Sequence, residues 1–363
     1  MLEHELQSHR DLLWGVCYRM LGCPADADDA LQATFEKVLR HPPPDSSLPL
    51  RPWLLRVVMN QCRDELRKRQ TRASAFWLPG PLETAEGDPR FLGAEAPDAR
   101  YSRMQSLSLA FMVALHTLSP LQRAVLILRD VLDLSVAETA EALETTASSV
   151  KMALHRARAE LAKGPVRPAL HDRATEERVL QALLVHLAAH NVSALTELLT
   201  QDVLLCNDAD DDQIAAHRVV RGRDNVLLFQ FKTARSGRFS IKLLNGRPAL
   251  VAELPPKLAP SSGRVIGQAA PDQRQGGREL PRQAVLWIEL DAGGSVSALH
   301  VQTRRRKLSH LPWEALQWPS PSQWGAAVVS ALRFPRRGAW RLRAAGSLAS
   351  ALGGALRTAV RKR

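Results

Sequence analysis

Four cysteines in 363 residues, Cys17, Cys23, Cys62 and Cys206, form no CxxC and no metal-ligand spacing. This excludes a disulfide framework and a thiolate metal site, and leaves buried or free thiols of a reducing compartment. No apolar run reaches the ~18 residues that a membrane span needs, and the N-terminus lacks the basic-then-apolar pattern of a secretory signal. The chain is expected in the cytoplasm, with no metal and no cofactor. Aromatic residues are few, 5% of the chain with only two Tyr, so base stacking is a minor resource. Acids are nearly missing from the end: residues 313–363 hold nine Arg or Lys against Glu314 alone, so of a formal charge of +12 this tail carries +8 and the preceding 312 residues +4. A pI near 10.2 favours a polyanionic partner, yet the body itself is only mildly basic.

What is present is most informative between Leu118 and Lys163. Ser135 can cap a helix through Val136, Ala140 and Leu143; Glu144, Thr145 and Thr146 then fill a three-residue turn before a second helix near Ala147. In that helix Val150, Leu154, Ala157 and Leu161 share one face at about 100° per residue. The opposite face carries Ser148, Met152 and His155, beside Ser149, with Lys151, Arg156 and Arg158 on the flanks. Short polar side chains edged with cations suit a major groove, the former for base edges and the latter for phosphates.

Residues 1–69 read as helices. Gly22 ends one, and Asp26 is expected to cap the next, with Asp26, Asp28 and Asp29 at the positive end of its dipole. After a proline-rich loop, Pro52 opens a helix with an apolar side (Leu55, Val58, Met59, Cys62) and a cationic stripe at Arg56, Asn60, Arg63 and Arg67. Residues 70–100, broken by Pro and Gly and rich in acids, form a linker. Residues 172–311 read as one long helix over a curved antiparallel sheet, an α+β cone, with Asn245-Gly246 and Gly293-Gly294 as hairpin turns. Four acids, Asp208, Asp210, Asp211 and Asp212, stand in what reads as an exposed turn, and His217 and His300 are the best candidates to face the cone's interior. Residues 312–363 remain open between an interfacial cationic helix, a DNA clamp and a disordered end.

Several of these stretches together resemble the extracytoplasmic-function sigma factors of the sigma-70 family that carry an extra C-terminal domain. YRMLGCPADADDALQATF and WLLRVVMNQCRDELRKR are similar to their region 2, and LSPLQRAVLILRDV followed by LSVAETAEAL and SSVKMALHRARAEL to their region 4. WLPGPL resembles the subgroup's linker signature, and DVLLCND, HRVVRGRDNV and LNGRPALV its SnoaL-like, NTF2-like domain. The chain departs from the family at Glu144, where a turn Gly is usual, at Ala33, often Glu, and at Arg304–Leu308, RRRKL in place of an NPDKL-like motif.

The resemblance implies a multidomain protein: region 2 (1–69), linker (70–100), region 4 (101–164), SnoaL-like cone (172–311) and basic tail (312–363). It further implies an alternative sigma factor whose partners are RNA polymerase core and promoter DNA, not an enzyme. By it, Asp26, Asp29 and Gln32 dock on core polymerase, and Arg56, Asn60, Arg63 and Arg67 hold the −10 strand. Ser148 to Arg158 read the −35 element, and Trp77, Leu78, Pro79 and the acids at 208–212 regulate. A small ligand of the cone and an anionic membrane or DNA contact of the tail complete the expected partners. Two other readings stand beside this one, a helix-turn-helix regulator without sigma activity and an enzyme or ligand-binding activity housed in the cone.

Overall fold

The computed structural model describes residues 2–43, 49–69, 77–84, 105–163, 171–233, 237–254 and 279–314. The tail beyond Glu314 and most of the acidic linker lie outside these, so the expectations placed there are not addressed by the fold. Among the described residues no helix is long and apolar enough to cross a membrane.

Four helices come first: α1 (Leu2–Ser8), α2 (Arg10–Leu21), α3 (Pro24–Arg40) and α4 (Leu50–Arg69). Gly22 adopts φ 69°, which closes α2 by a bond from its N–H to the Tyr18 carbonyl and which a side chain would resist. Pro24 then starts α3 with its φ already helical. Asp26 was expected as the cap of this helix. It lies instead inside the first turn, because Pro24 sets the start and the extended residue Cys23 stands at the cap position.

A second helical set follows: α5 (Leu109–His116), α6 (Pro120–Leu126) running into a π-helical turn (Ile127–Val131), α7 (Val136–Ala142) and α8 (Ala147–Leu161). Capping boxes fix the starts of α6 (Ser119 with Gln122) and α7 (Ser135 with Glu138). Thr146 accepts the Ser149 N–H at 3.1 Å to start α8. The two helical sets share one apolar core, in which Leu54, Val58 and Met59 of α4 join Val125, Leu128, Ala140 and Val150. The buried Arg123 ties them further, donating to the Met20 carbonyl at 2.5 Å and to the His116 carbonyl at 3.1 Å.

The cone holds α9 (Arg173–Ala188), α10 (Val192–Leu198), α11 (Arg223–Thr233) and strands β1 (Leu199–Asp208), β2 (Val220–Arg221), β3 (Arg238–Leu244), β4 (Arg247–Glu253), β5 (Gln283–Leu290) and β6 (Val296–Gln302), in the order β2-β1-β6-β5-β4-β3. Two expectations are corrected. The sheet is mixed, since β1 and β6 run parallel with Leu205 opposite Leu299; the long excursion through α11 and three antiparallel strands supplies the crossover that parallel neighbours require. Three helices rather than one cover its concave face, α10 being too short and the apolar residues of α11 too evenly spread to declare a helical period.

One face of the sheet packs Leu205, Leu250 and Leu299 against Leu180 and Leu184 of α9. The other packs Val251, Val285 and Trp287 against Leu78, Leu109, Val113 and Leu308. The sheet is thus covered on both sides, which explains the nearly continuous burial of β4. The β3–β4 turn drives into the seam: Asn245 and Gly246 both adopt positive φ, as a tight hairpin demands. The Asn245 amide donates to the Tyr18 hydroxyl at 2.8 Å and to the Leu107 carbonyl at 3.0 Å.

Tyr18 is fully buried and passes its own proton to the Gly80 carbonyl at 2.8 Å. Tyr18→Phe leaves that carbonyl and one Asn245 proton without partners in a dry seam, so urea unfolding should register a loss of about 1–3 kcal/mol.

Candidate functional site

On α8 the residues expected to meet DNA divide into two groups. Ser148, Lys151, Met152, His155 and Arg156 are exposed and Ser149 is half-buried; Met152, an apolar side chain left 52% open, is the clearest sign that this face awaits a partner. Arg158 differs. It makes a bidentate ion pair with Asp130 at 2.9 and 2.5 Å, and Asp130, in the π-helical turn, is only 2% exposed. Arg158 therefore anchors α8 to the body of its domain, and the expectation that it lies free for phosphate is corrected. The π-helical geometry of Ile127–Val131 is what aims Asp130 at α8.

The cationic stripe of α4 faces the helix-turn-helix. Arg56 binds the Glu144 carboxylate at 2.8 and 2.5 Å, and Arg63 donates to the Leu143 carbonyl at 3.3 Å. Asn60 is half-buried, and Arg67, at the far end, pairs with Asp64 at 2.9 Å. Glu144 stands at φ 51°, the left-handed conformation that a glycine would adopt without strain. Both partners of the Arg56–Glu144 pair are exposed, so it contributes at most ~1 kcal/mol; the shared apolar core beneath holds the two units together.

The third group meets the cone. A short helix, α12 (Arg305–Leu308), places Arg306 against Asp26 at 2.5 Å and against Asp29, while His310 reaches Asp28 at 2.5 Å. Asp28 also accepts the Trp14 indole proton at 2.7 Å. Gln32 stays exposed, donating to Glu36 at 3.2 Å.

Between the helices and the cone runs the linker stretch Trp77 to Thr84. Trp77 stacks on His116, with 4.1 Å between ring centres, and the Lys307 ammonium lies 4.3 Å from its ring centroid. The Leu78 N–H donates to Asp208 at 2.8 Å, and its carbonyl accepts from Lys307 at 2.5 Å and Gln302 at 3.1 Å. Gly80 bonds the Gly22 carbonyl at 2.8 Å, and Leu82 and Asn245 exchange bonds at 2.9 and 3.1 Å. Asp208 is the hub. Far from an exposed turn, it is fully buried and binds Lys307 at 2.6 Å, together with Arg304. Burial alone would raise its pKa, but Lys307 and Arg304 outweigh that and hold it below the usual carboxylate range. The rest of the acidic run stays near the surface: Asp210 accepts from the Arg305 N–H at 3.0 Å, Asp212 pairs with Arg305 at 2.8 Å, and Asp211 is exposed.

The models Sigma-70 region 2 and Sigma-70, region 4 match residues 6–72 and 108–161. The chain is 31% identical over 264 residues to ECF RNA polymerase sigma factor SigJ of Mycobacterium tuberculosis, covering 69% of this chain and 81% of that one. It is 32% identical over 219 residues to SigG of the same species, covering 54% and 59%. The crystal structure of the M. tuberculosis extracytoplasmic function sigma factor SigJ superposes with a TM-score of 0.59 at 26% identity, over 85% of this chain and 99% of that one. The chain belongs to the extracytoplasmic-function sigma factors.

In this sigma factor the three expected groups do not stand apart. The stripe of α4 meets the turn before α8, and Asp26 and Asp29 meet the cone. Sequence reasoning missed Tyr18 and Asp130, and it read Asn245 only as a turn residue. The run of three arginines and a lysine at 304–307, in place of the family's motif, was the signal in the sequence that this segment meets the sigma domains.

Three outcomes follow from these contacts. Met152→Ala should change base preference at −35 by ~1–3 kcal/mol without moving the melting temperature. Arg158→Ala, which strips a buried carboxylate of its partner, should lower stability by at least ~1 kcal/mol and weaken all promoters alike, as calorimetry and a promoter panel would register. Asp208 contributes fully above the ordinary aspartate value of 3.8, and its contribution is lost as pH falls through the lower folded value. Trp77 fluorescence should therefore stay constant from pH 8 to 5 and change only below about pH 4.

Proposed function

We propose that the structure is the resting form of a sigma factor whose C-terminal cone regulates it in cis. In this reading Asp26, Asp29 and Gln32 dock on core polymerase, Arg56, Asn60, Arg63 and Arg67 hold the melted −10 strand, and Ser148, Ser149, Lys151, Met152, His155 and Arg156 read the −35 element. The observation that carries it is Arg306 seated on Asp26 and Asp29: a cation of the cone occupies two of the three residues assigned to polymerase.

Promoter geometry supports the same reading. The two elements, roughly 25 base pairs apart by their names, lie on the order of 80 Å apart at ~3.4 Å per base pair. Arg56 and Glu144, one on each reading unit, are 2.5 Å apart. The packed units must therefore separate before both elements are bound, and the linker held under Asp208 must be released.

The cone acts by contact and not by catalysis. His300 is buried against Glu289 at 2.8 Å, on the same side of β6 as Gln302 and so on the sheet face turned to the linker. His217 is exposed and touches the Gln213 carbonyl at 3.1 Å. Neither faces the interior as expected, because strand alternation turns His300 outward and the 209–219 loop carries His217 to the surface. Among the described residues lining the small apolar cavity between α9, α11 and the sheet none is titratable, whereas acid-base chemistry needs such groups.

Magnitudes separate masking from docking. Arg306 is 58% exposed along its side chain, with Asp26 beneath it 7% exposed, so this cover is shallower than the buried Asp208–Lys307 pair and the Asn245–Tyr18 network that hold the cone in place. Arg306→Ala, which takes a partner from the buried Asp26, should lower stability by about 1–2 kcal/mol and leave the chain folded, yet raise run-off transcription several-fold at limiting core polymerase. Unchanged or reduced transcription would contradict the masking.

A further inference from the structure

Inside the cone, between its helices and the concave face of the sheet, lies a cavity of about 160 Å³. Leu187 of α9, Phe229 of α11, and Leu205 and Leu286 of the sheet give it apolar walls, and Asn207 and Thr303 form a polar end. Apolar cavities of ~150 Å³ accommodate a benzene ring, so the volume sets the occupant at about one ring or a short branched chain. A charged occupant is excluded, since no ionisable group among the described lining residues would compensate it. Asn207 is 8% exposed, and its Oδ1 accepts a long bond, 3.4 Å, from the Thr303 hydroxyl. Its Nδ2 has no partner among the described residues, so the polar end offers a donor and a weakly held acceptor.

The residues next to this polar end hold the linker. Successive residues of a strand point to opposite faces; Asn207 faces the cavity and Asp208 faces the Leu78 N–H at 2.8 Å. Asp208 lies opposite Gln302 in the β1–β6 register, and Gln302 reaches the Leu78 and Pro79 carbonyls at 3.1 and 3.3 Å. Thr303, lining the cavity, donates its N–H to the Asp208 carbonyl at 2.9 Å. The cavity's polar end is thus one hydrogen bond or one peptide away from the two residues that clamp Leu78.

We propose that this cavity binds a small uncharged molecule, of about one ring and bearing a hydroxyl, and that its occupancy loosens the clamp and activates the sigma factor. The hydroxyl accepts from Asn207 Nδ2 and donates to Asn207 Oδ1, displacing the weak Thr303 bond; the Thr303 hydroxyl then turns wholly to its other acceptor, the Asp208 carbonyl at 3.4 Å, and shifts the strand end that carries the clamp. The regulatory half of this proposal rests on the cone acting in cis; the binding half does not.

The test uses the full chain with p-cresol, and with toluene as the same ring and methyl without the hydroxyl. Isothermal calorimetry should find one saturable p-cresol site and at least tenfold weaker toluene binding. Ala252→Leu, which fills the cavity, should abolish both, and Asn207→Leu should erase the difference between the two compounds even if the first variant folds poorly. In run-off transcription with core polymerase, p-cresol should raise output several-fold for the native chain and not for Ala252→Leu. Absence of saturable binding overturns the proposal, and so does binding that leaves transcription unchanged while Arg306→Ala raises it. Activation by p-cresol with no effect of Arg306→Ala would keep ligand control and remove the masking by Arg306.

Discussion

The buried pairing of Asp208 with Lys307 is the contact on which the arrangement of the three units depends. A carboxylate at full burial is tolerable only with compensating charge and hydrogen bonds, and Asp208 has Lys307, Arg304, Gln302 and the Leu78 N–H. Three of these lie within six residues at the end of the cone, and the fourth belongs to the linker. The linker completes this set by lying across the sheet, and in that arrangement the neighbouring Arg306 has α3 within reach. Stronger and weaker interactions divide the labour: buried charge and the Asn245 network position the cone, while the half-buried pair at Arg306 and the exposed pair at Arg56 cover functional surfaces. That division suits a switch, because weak covers exchange readily for polymerase or DNA once the deeper clamp yields.

Glu144 has a corresponding place. A residue at φ 51° costs stability unless it is glycine, and in this chain the strained position supplies a carboxylate to Arg56. The departure from the family's usual turn residue and the contact that closes the α4 stripe are the same feature.

Much of the helical half was legible in the sequence because it rests on local rules. Ser135 is a capping signal, Gly22 a terminator, and Val150, Leu154 and Ala157 a single face. The cone was legible in its hairpins, where Asn245-Gly246 and Gly294 satisfy positive φ, but not in its topology, since parallel pairing of β1 with β6 leaves no local mark. Burial of Asp208 was illegible for a related reason. In sequence it heads an acidic run, and only the return of residues 302–307 some hundred positions later supplies its partners. Arg158 looked free because its partner, Asp130, sits on a π-helical turn whose register a 3.6-residue count misplaces.

The central claim is that polymerase and the cone compete for α3. Hydrogen exchange on the native full chain, alone and bound to core polymerase, tests it without substitutions. The account predicts that core binding protects residues 24–32 while residues 77–82 and 304–310 lose protection together, as the clamp and its cover release. Protection at 304–310 that survives core binding would contradict it.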